Sequence, residues 1–462
     1  MKKILIYLLG ITVAISSCDK KSDLNIDGKT VDERIAASLA SYQQKLVNAP
    51  YGWILRETTS GTALNGGVTQ NGPKAVFSYY VKFDKDNKVS MISDFDTTMA
   101  FTFQSSTFQI KAIQRPTLVF DTYSYIHVPC DPDASISKSP IGDGFGWGTD
   151  FEFSFADNVG ADELGDTIHL TGNLNSCQAV LIKATAADQQ SFTTSGFQSM
   201  RTINKILTYF KRFTINGTTV EMTPGIGGRT IDIQYTGHSD IINVPLAYSS
   251  GDLIFGTPVN IGTGTVSSLT NLTWDNATQT IATKVNGTTD ATISGATAPL
   301  NPQPQIATDF YNTGFDVPWL APMPFHVNGV DDAFNIRALT ASPGAFLFFV
   351  FYPGGYGGQY DIITPYFNNS SPYKYVYTGG ISATTVNNGQ LYFSILYANS
   401  PSTNPVGIAK TISLLQSGQT TYPAPTGPQY GFYIIPKEDG YSYDMVNAGG
   451  ATAWINWIPN GM

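Results

Sequence analysis

Charged side chains are scarce in this sequence. Asp, Glu, Lys and Arg make up 13% of the 462 residues, about half of the usual share. Disordered chains combine high charge with few aromatic residues, whereas 13% of this chain is aromatic and 42% is hydrophobic. Basic blocks are also missing, and the formal net charge of −9 argues against a nucleic acid partner or electrostatic binding to anionic lipid. We therefore expect a protein that folds around a large core.

Several catalytic motifs are missing as well. The four histidines are scattered and form no HExxH zinc motif, and the sequence contains no GxSxG nucleophile elbow. The glycine-rich stretch PGGYGG at residues 353–358 lacks the Lys-Ser/Thr pair that a phosphate-binding loop needs, so it is interpreted as a turn. The sequence predicts no cofactor and no catalytic residue of these types.

The only long apolar run lies at the N-terminus. Lys2 and Lys3 precede twelve apolar residues at 4–15, too few for a helix that spans a bilayer, which needs about 20. The small residues before Cys18 complete a pattern that resembles the lipobox of bacterial lipoproteins, where the cysteine is acylated. A signal peptide at 1–17, lipidation of Cys18 and a polar tether at 18–29 are predicted. Without the two lysines, 24 basic and 35 acidic residues remain, a net charge of −11.

Cysteine is rare, with two residues besides Cys18. Cys130 and Cys177 could form a disulfide in an oxidising compartment, which would contribute roughly 4 kcal/mol by closing a long loop. The alternative is two buried free thiols, since spacing alone does not place the two Cα atoms within reach.

Turn and strand signals dominate the rest of the sequence. A capping box at Thr30 and Glu33 opens one helix with an apolar stripe from Val31 to Leu46. Short alternating strands then follow in rapid succession without a βαβ rhythm, which is typical of antiparallel meanders in barrels or sandwiches. The predicted fold is mainly β, with an N-terminal helix and a helix between domains. The predicted boundaries are a helix plus β domain at 30–190, a connecting helix at 191–212, a β domain at 213–300 and a C-terminal β region at 301–462.

The segment TLVFDTYSYIHV, residues 117–128, carries the first candidate ligand-binding residues. Read as one strand, it places Asp121, Tyr123, Tyr125 and His127 on one face. This face either lines a polar groove or is the solvated side of a half-buried strand. Asp121 and His127 lie about 20 Å apart on a straight strand, too far for a catalytic dyad.

A loop of some 21 residues, 129–149, follows and holds further candidates. Asp131, Asp133 and Asp143 offer oxygen ligands for Ca²⁺, although the EF-hand spacing is absent. Glycines alternate with Asp143, Phe145 and Trp147, which predicts positive φ angles and an ordered loop that pins an aromatic ring into the first domain. The alternative is a ligand loop that uses Trp147.

Asp150 and Glu152 close this region. Two residues apart on a strand, their carboxylates would share one face about 7 Å apart, close to the separation in glycosidases. The simpler interpretation is a strand with Phe151, Phe153 and Phe155 in the core and the acids outside.

Four stretches carry a family resemblance: APYGWIL, YYVKFDKDNKVSMISD, LVFDTYSYIH with a following DP, and GTDFEF with DTIHLTG. They resemble a family of roughly 450-residue Bacteroidetes lipoproteins known only as a domain of unknown function, most strongly over residues 30–190. The resemblance implies an exported, lipid-anchored protein of the kind that often accompanies starch-utilisation-type uptake systems of the outer membrane. It transfers no catalytic residue.

These observations predict a lipid-anchored accessory protein at the outer membrane, on its periplasmic or cell-surface face, that binds glycan, peptide or another nutrient without catalysis. The alternatives are a hydrolase with an acid pair such as Asp150 and Glu152, and a structural subunit that docks on an uptake transporter.

Overall fold

The structure is a computed structural model that describes residues 28–72, 74–155, 160–338, 345–368, 380–398, 405–416 and 430–461. The predicted signal peptide, Cys18 and most of the predicted tether lie outside these residues. Within them, short antiparallel strands form three successive closed sheets, so the fold is mainly β as the sequence predicts. Closure gives the strands that make up each ring a hydrogen-bonded neighbour on both sides.

Helix α1, Val31–Val47, precedes the first sheet. The Thr30 hydroxyl accepts the N–H of Glu33, and the Glu33 carboxylate accepts the N–H of Thr30, so the predicted capping box is confirmed. Of the predicted stripe, Tyr42 and Leu46 are buried while Val31 stays exposed. The helix thus covers the first sheet with its C-terminal half.

Barrel 1 is an eight-stranded antiparallel barrel. The ring strands are Trp53–Thr58 (β1), Val76–Phe83 (β4), Lys88–Ser93 (β5), Gln104–Ile113 (β6), Arg115–Phe120 (β7), Glu152–Phe155 (β8), Thr167–Gly172 (β9) and Gln178–Lys183 (β10). Between β1 and β4 the chain forms a separate two-stranded hairpin outside the ring, Thr62–Asn65 (β2) and Val68–Asn71 (β3). The long β7–β8 connection contains the short helix α2, Ala134–Ser137, and a 3₁₀ turn, Ala161–Glu163, lies between β8 and β9. Alternate residues face inward, so Trp53 and Leu55 share the core with Phe77 and Tyr79.

Two short helices connect barrel 1 to barrel 2: Ala186–Ser195 (α3) and Gln198–Ile203 (α4). The single helix predicted over 191–212 is therefore wrong. Gly196, at φ +56°, ends α3, and a side chain there would meet the Ala100 carbonyl oxygen at 2.2 Å. The chain is already in a strand at Phe210.

Barrel 2 is a simple meander of eight strands closed by pairing between its first and last. The strands are Phe210–Ile215 (β11), Thr218–Pro224 (β12), Thr230–Tyr235 (β13), His238–Tyr248 (β14), Leu253–Asn260 (β15), Thr265–Asp275 (β16), Thr280–Val285 (β17) and Thr289–Ala296 (β18). A 3₁₀ turn, Ile226–Gly228, lies between β12 and β13.

The third sheet, barrel 3, also closes. Its strands are Trp319–Ala321 (β19), His326–Val327 (β20), Phe346–Tyr356 (β21), Tyr360–Phe367 (β22), Gly380–Asn387 (β23), Gln390–Ala398 (β24), Phe432–Pro436 (β25), Tyr443–Asn447 (β26) and Ala453–Pro459 (β27). Strand β19 pairs with both β21 and β27, and β20 adds to β27. Helix α5, Pro304–Asp316, buries Ala307 and Phe310 in this core, and α6, Pro405–Leu415, follows β24.

Buried ion pairs join neighbouring barrels. Between barrels 1 and 2, Arg229 contacts Asp94 at 2.8 Å and donates to the Val76 carbonyl. Between barrels 2 and 3, Lys437 lies 2.6 Å from Asp232 of barrel 2 and also 3.2 Å from Asp444 of its own barrel. Because a buried charge without a partner is costly, these pairs fix how the barrels sit against each other.

Candidate functional site

The strand predicted over residues 117–128 ends early, at Phe120. Residues 121–128 form turns in which the His127 N–H donates to the Ser124 carbonyl at 2.9 Å. The His127 ring stabilises this turn, since Nδ1 accepts the Ser124 N–H at 3.1 Å and Nε2 lies 3.1 Å from the Phe120 carbonyl oxygen. The predicted single strand face of Asp121, Tyr123, Tyr125 and His127 is therefore wrong.

The turn nevertheless brings two of these residues together at the surface. The His127 ring stacks on Phe151 with centroids 4.6 Å apart and on Tyr123 with centroids 5.4 Å apart. Tyr123 is 53% exposed and Phe151 is 37% exposed. We call these three side chains, Tyr123, His127 and Phe151, the ring stack. The sequence predicts Phe151 in the core as part of a strand. In the structure β8 begins at Glu152, so Phe151 lies outside the strand and joins the ring stack instead.

Carboxylates flank the ring stack. The Tyr123 hydroxyl donates to Asp131 Oδ2 at 2.5 Å, so the exposed ring is held on one side by His127 and at its tip by Asp131. Asp121 accepts hydrogen bonds from Thr107 and Gln109 of β6. The surface thus combines rigid aromatic rings with acceptor oxygens.

Electrostatics keep the ring stack uncharged. Burial lowers the pKa of His127, although its backbone hydrogen bonds act in the opposite direction, so the imidazole is neutral near pH 7. Burial raises the pKa of Tyr123, and the hydrogen bond to Asp131 and its negative charge raise it further. The rings themselves can therefore take part in stacking and hydrogen bonding without carrying charge at pH 7.

The carboxylates of the following loop are used within the loop. Asp131 accepts the N–H of Asp133 at 2.9 Å, Asp133 caps α2 by accepting the N–H of Ser135 at 2.8 Å, and Asp143 accepts the N–H of Ala134 at 2.9 Å. Within the described parts of the chain, no group of three or more His, Cys, Asp or Glu side chains is arranged to hold a metal ion. The geometry gives no support to the Ca²⁺ alternative.

The glycine loop is ordered and closes one side of barrel 1. Gly142, Gly144, Gly146 and Gly148 all have positive φ, and a side chain at Gly148 would meet the Thr62 carbonyl oxygen at 2.1 Å. Trp147 is 3% exposed, packs edge-on against Phe77 at 5.6 Å and donates its indole N–H to the Ser137 carbonyl at 2.8 Å. Trp147 is thus a core residue, as the structural interpretation of the loop predicts.

Asp150 is buried and lies just before β8, at 4% exposure. Its Oδ1 accepts the N–H groups of Leu174 at 2.9 Å and Asn175 at 3.1 Å. Its own N–H donates to Glu57 Oε1 at 2.6 Å, and the Cys177 thiol lies 3.0 Å from Glu57 Oε1 and 3.1 Å from Asp150 Oδ2. We call Glu57, Asp150 and Cys177 the interior acid cluster.

Glu57 was missed by sequence reasoning, although alternation with Trp53 and Leu55 in β1 marks it as inward-facing. Burial raises the pKa of Glu57 to about 8, and its Oε2 has no hydrogen-bond partner among the described residues. Gly172 leaves room for the cluster, because a side chain there would meet Asp150 Oδ2 at 1.9 Å.

Of the two alternatives for the cysteines, the structure has the free thiols, since Cys130 and Cys177 are not bonded to each other. Cys177 belongs to the interior acid cluster, whereas the Cys130 thiol donates to the His127 carbonyl at 3.2 Å. Burial, reinforced by the charge of Glu57, raises the pKa of both thiols, so neither is an activated nucleophile.

Asp150 and Glu152 do not share a strand face. Glu152 begins β8 opposite Val119 and is half-buried, whereas Asp150 precedes the strand and is committed to the interior acid cluster. The acid pair suggested by the spacing is therefore not formed. Catalysis by glycosidase-type carboxylates finds no geometric basis in these two residues.

Comparison with solved structures gives only weak similarity. The β subunit of DNA polymerase III from Thermotoga maritima is 8% identical, with 92% of this chain and 96% of that chain covered and a TM-score of 0.19. The DNA polymerase sliding clamp from Pseudomonas aeruginosa is 10% identical, with 93% and 98% covered and a TM-score of 0.17. The isotype 1 transferrin binding protein B from serogroup B Neisseria meningitidis is 10% identical, with 88% and 76% covered and a TM-score of 0.16. Scores this low carry no argument about fold or function.

No curated protein matches the sequence. The family model of the domain of unknown function DUF4302 matches residues 27–276, which include all of barrel 1 and most of barrel 2. Because this match covers more than half of the chain, the protein belongs to the DUF4302 family.

Proposed function

We propose that this protein is an exported, lipid-anchored accessory protein of the outer membrane that binds glycan without catalysis. The observation that carries the proposal is the ring stack, with two exposed aromatic rings, a carboxylate of Asp131 that holds the Tyr123 hydroxyl, and Asp121 near enough for its charge to act on His127. The ring faces of a sugar carry apolar C–H groups, while its rim carries hydroxyls. Exposed aromatic rings with neighbouring acceptor oxygens match both features.

Rigidity supports a binding role for Tyr123. Its ring is held by His127 and its hydroxyl by Asp131, so little side-chain freedom remains to be lost when a ligand stacks on it. An exposed aromatic ring fixed in this way binds at low entropic cost.

The geometry favours binding over hydrolysis. Asp150, half of the predicted acid pair, is buried and satisfied by backbone N–H groups, and His127 uses both ring nitrogens in its own turn. Docking on an uptake transporter is the other alternative, and it would make the ring stack part of a protein interface.

The sequence and the family resemblance support the location. Residues 1–18 have the charge, apolar length, small residues and cysteine of a lipoprotein signal. In the described part of the chain, no helix has both the length and the apolar character needed to cross a bilayer. The resemblance to Bacteroidetes lipoproteins supports a place beside a nutrient-uptake system.

The binding proposal is tested with the full chain carrying Cys18→Ala, titrated by calorimetry with a panel of soluble polysaccharides. We expect Tyr123→Ala to weaken glycan binding about tenfold, or ~1.4 kcal/mol, because one stacking surface is lost. The melting temperature should change little, since the ring is largely exposed. Tyr356→Ala is the matched control, an exposed tyrosine of barrel 3.

Glycan affinity that survives Tyr123→Ala unchanged would contradict the ring-stack site. Release of reducing sugar ends from any bound glycan would contradict the non-catalytic role. If no glycan binds but an uptake transporter copurifies through the Tyr123 surface, the docking alternative is correct.

A further inference from the structure

Lys211 faces the interior of barrel 2. In β11 it alternates with Phe213 and Ile215, which both belong to the barrel core. Its neighbour Arg212 faces the other side and pairs with Glu221 at 2.7 Å. Lys211 is half-buried there, which is unusual because Lys is rarely buried without a charged partner.

The Lys211 side chain lines a cavity of about 320 Å³. The cavity lies at the end of barrel 2 that faces barrel 1, where β11, β13 and β15 begin and β12 and β14 end. Met200 and Ile203 of α4 and Phe95 of barrel 1 line it from outside the barrel. The mouth of a barrel beside a domain junction is a preferred place for a small-molecule site.

Most of the cavity wall is apolar. Met222, Leu246 and Leu253 contribute side chains from barrel 2. The volume and the wall suit the hydrocarbon part of a small ligand.

The Lys211 amine has unused hydrogen-bonding capacity in this cavity. It donates to the Thr208 carbonyl at 2.8 Å, and among the described residues no carboxylate lies within ion-pair distance of it. Two other titratable side chains line the cavity, Arg229 and Tyr248. Arg229 is already paired with Asp94 at 2.8 Å.

The environment of the amine opposes its charge. Burial lowers the pKa of Lys211 to about 8, because removing the amine from bulk solvent disfavours its charged form. An anionic group placed against the amine would restore the charged form.

We propose that this cavity binds a small amphipathic carboxylic acid, with its carboxylate on Lys211 and its hydrocarbon part against Met222, Leu246 and Leu253. One amine matches the single charge of a carboxylate, and the apolar wall matches an aliphatic or aromatic tail. The site lies in barrel 2, is separate from the ring stack and does not depend on the glycan proposal.

Calorimetry with two probes of matched shape, octanoate and octanol, tests the inference in the full chain carrying Cys18→Ala. With its cavity residues unchanged, this protein should bind octanoate at least about tenfold more tightly than octanol. Lys211→Met should weaken octanoate binding at least about tenfold while octanol binding is kept or improved. Lys205→Met is the matched control, since Lys205 is exposed and lies over Trp274 instead of in the cavity.

Met200→Trp, which fills the cavity from α4, should weaken binding of both probes. If Lys211→Met does not fold, ¹³C-methylation of lysines allows NMR titration of Lys211 without a substitution there, and octanoate should raise its apparent pKa. The proposal is overturned if octanoate does not bind or binds no more tightly than octanol. It is also overturned if octanoate binding survives Lys211→Met, or if saturating octanoate does not shift the titration of Lys211.

Discussion

At the scale of single residues, Glu57 shows how a barrel interior changes acid–base behaviour. Its side chain is fully buried in barrel 1, where burial raises its pKa from 4.5 to about 8. The carboxyl group is therefore mostly protonated at pH 7 in the folded protein, while it is ionised in the unfolded chain. The contribution of Glu57 to the free energy of unfolding is therefore greatest below about pH 4.5 and declines as the pH rises toward the pKa of Glu57 in the folded protein.

We predict that Glu57→Gln removes this decline, because the amide has a similar shape but does not ionise. Between about pH 4.5 and about pH 8, the free energy of unfolding of the parent should fall relative to the variant by on the order of 1.4 kcal/mol per pH unit. Urea unfolding of the parent and the variant, near the lower and the upper end of this pH range, measures the difference in the free energy of unfolding. Glu163→Gln, an exposed residue, is the control. A stability difference that is constant with pH would contradict the assignment.

At the scale of elements, the glycine loop, residues 129–149, contributes a core side chain to barrel 1. Its four glycines allow sharp turns and a close approach to the β2 backbone, and these turns deliver Trp147 to the core. The ring stack depends on the same connection, since Tyr123 binds Asp131 at the start of the loop. A long loop is here part of the fold, and the ring stack is formed by residues on either side of its two ends.

Trp147→Ala should destabilise the protein by roughly 3–5 kcal/mol, because it removes a large buried ring and leaves a cavity. Phe145→Ala, in the same loop but half-buried, should cost clearly less. Chemical denaturation measures both values. Native stability of Trp147→Ala combined with lost glycan binding would instead support the ligand-loop alternative.

At the scale of the whole molecule, three closed barrels are joined by buried polar contacts. Arg229 binds Asp94 across the first junction and stacks over Phe77 at 4.4 Å. Across the second junction, Lys437 of barrel 3 binds Asp232 of barrel 2, and the hydroxyl of Tyr209, which directly precedes β11, donates to Asp444 of barrel 3 at 2.6 Å. Removing one partner of such a pair would leave an uncompensated buried charge, so each junction disfavours arrangements that separate the pair.

The proposed anchor also belongs to this scale, because it determines where the whole body is held. We predict that Cys18→Ala moves the protein from the detergent phase to the aqueous phase in detergent phase separation, since stable membrane attachment by lipid requires the acylated cysteine. Cys130→Ala, a cysteine of the folded body, should leave the parent's partitioning unchanged. A Cys18→Ala protein that still sediments with salt-washed membranes would show a second anchor.

The sequence by itself determined features that depend on neighbours along the chain. The Thr30–Glu33 capping box, the antiparallel strand pattern and the positive φ angles of the glycine loop all follow from local sterics and hydrogen bonding. Tertiary structure decided everything that needs distant segments to meet. Glu57 and Asp150 are 93 residues apart and come together only when barrel 1 closes.

The same reason explains the errors. Alternation predicted a continuous strand through His127, but local pattern carries no information about the ring stack that His127 forms with Phe151. In the sequence, Lys211 lies in the segment predicted as the connecting helix, 191–212. Only strand pairing in barrel 2 shows that its amine faces an apolar cavity, because the direction of a side chain is set by which face of the strand the closed sheet encloses.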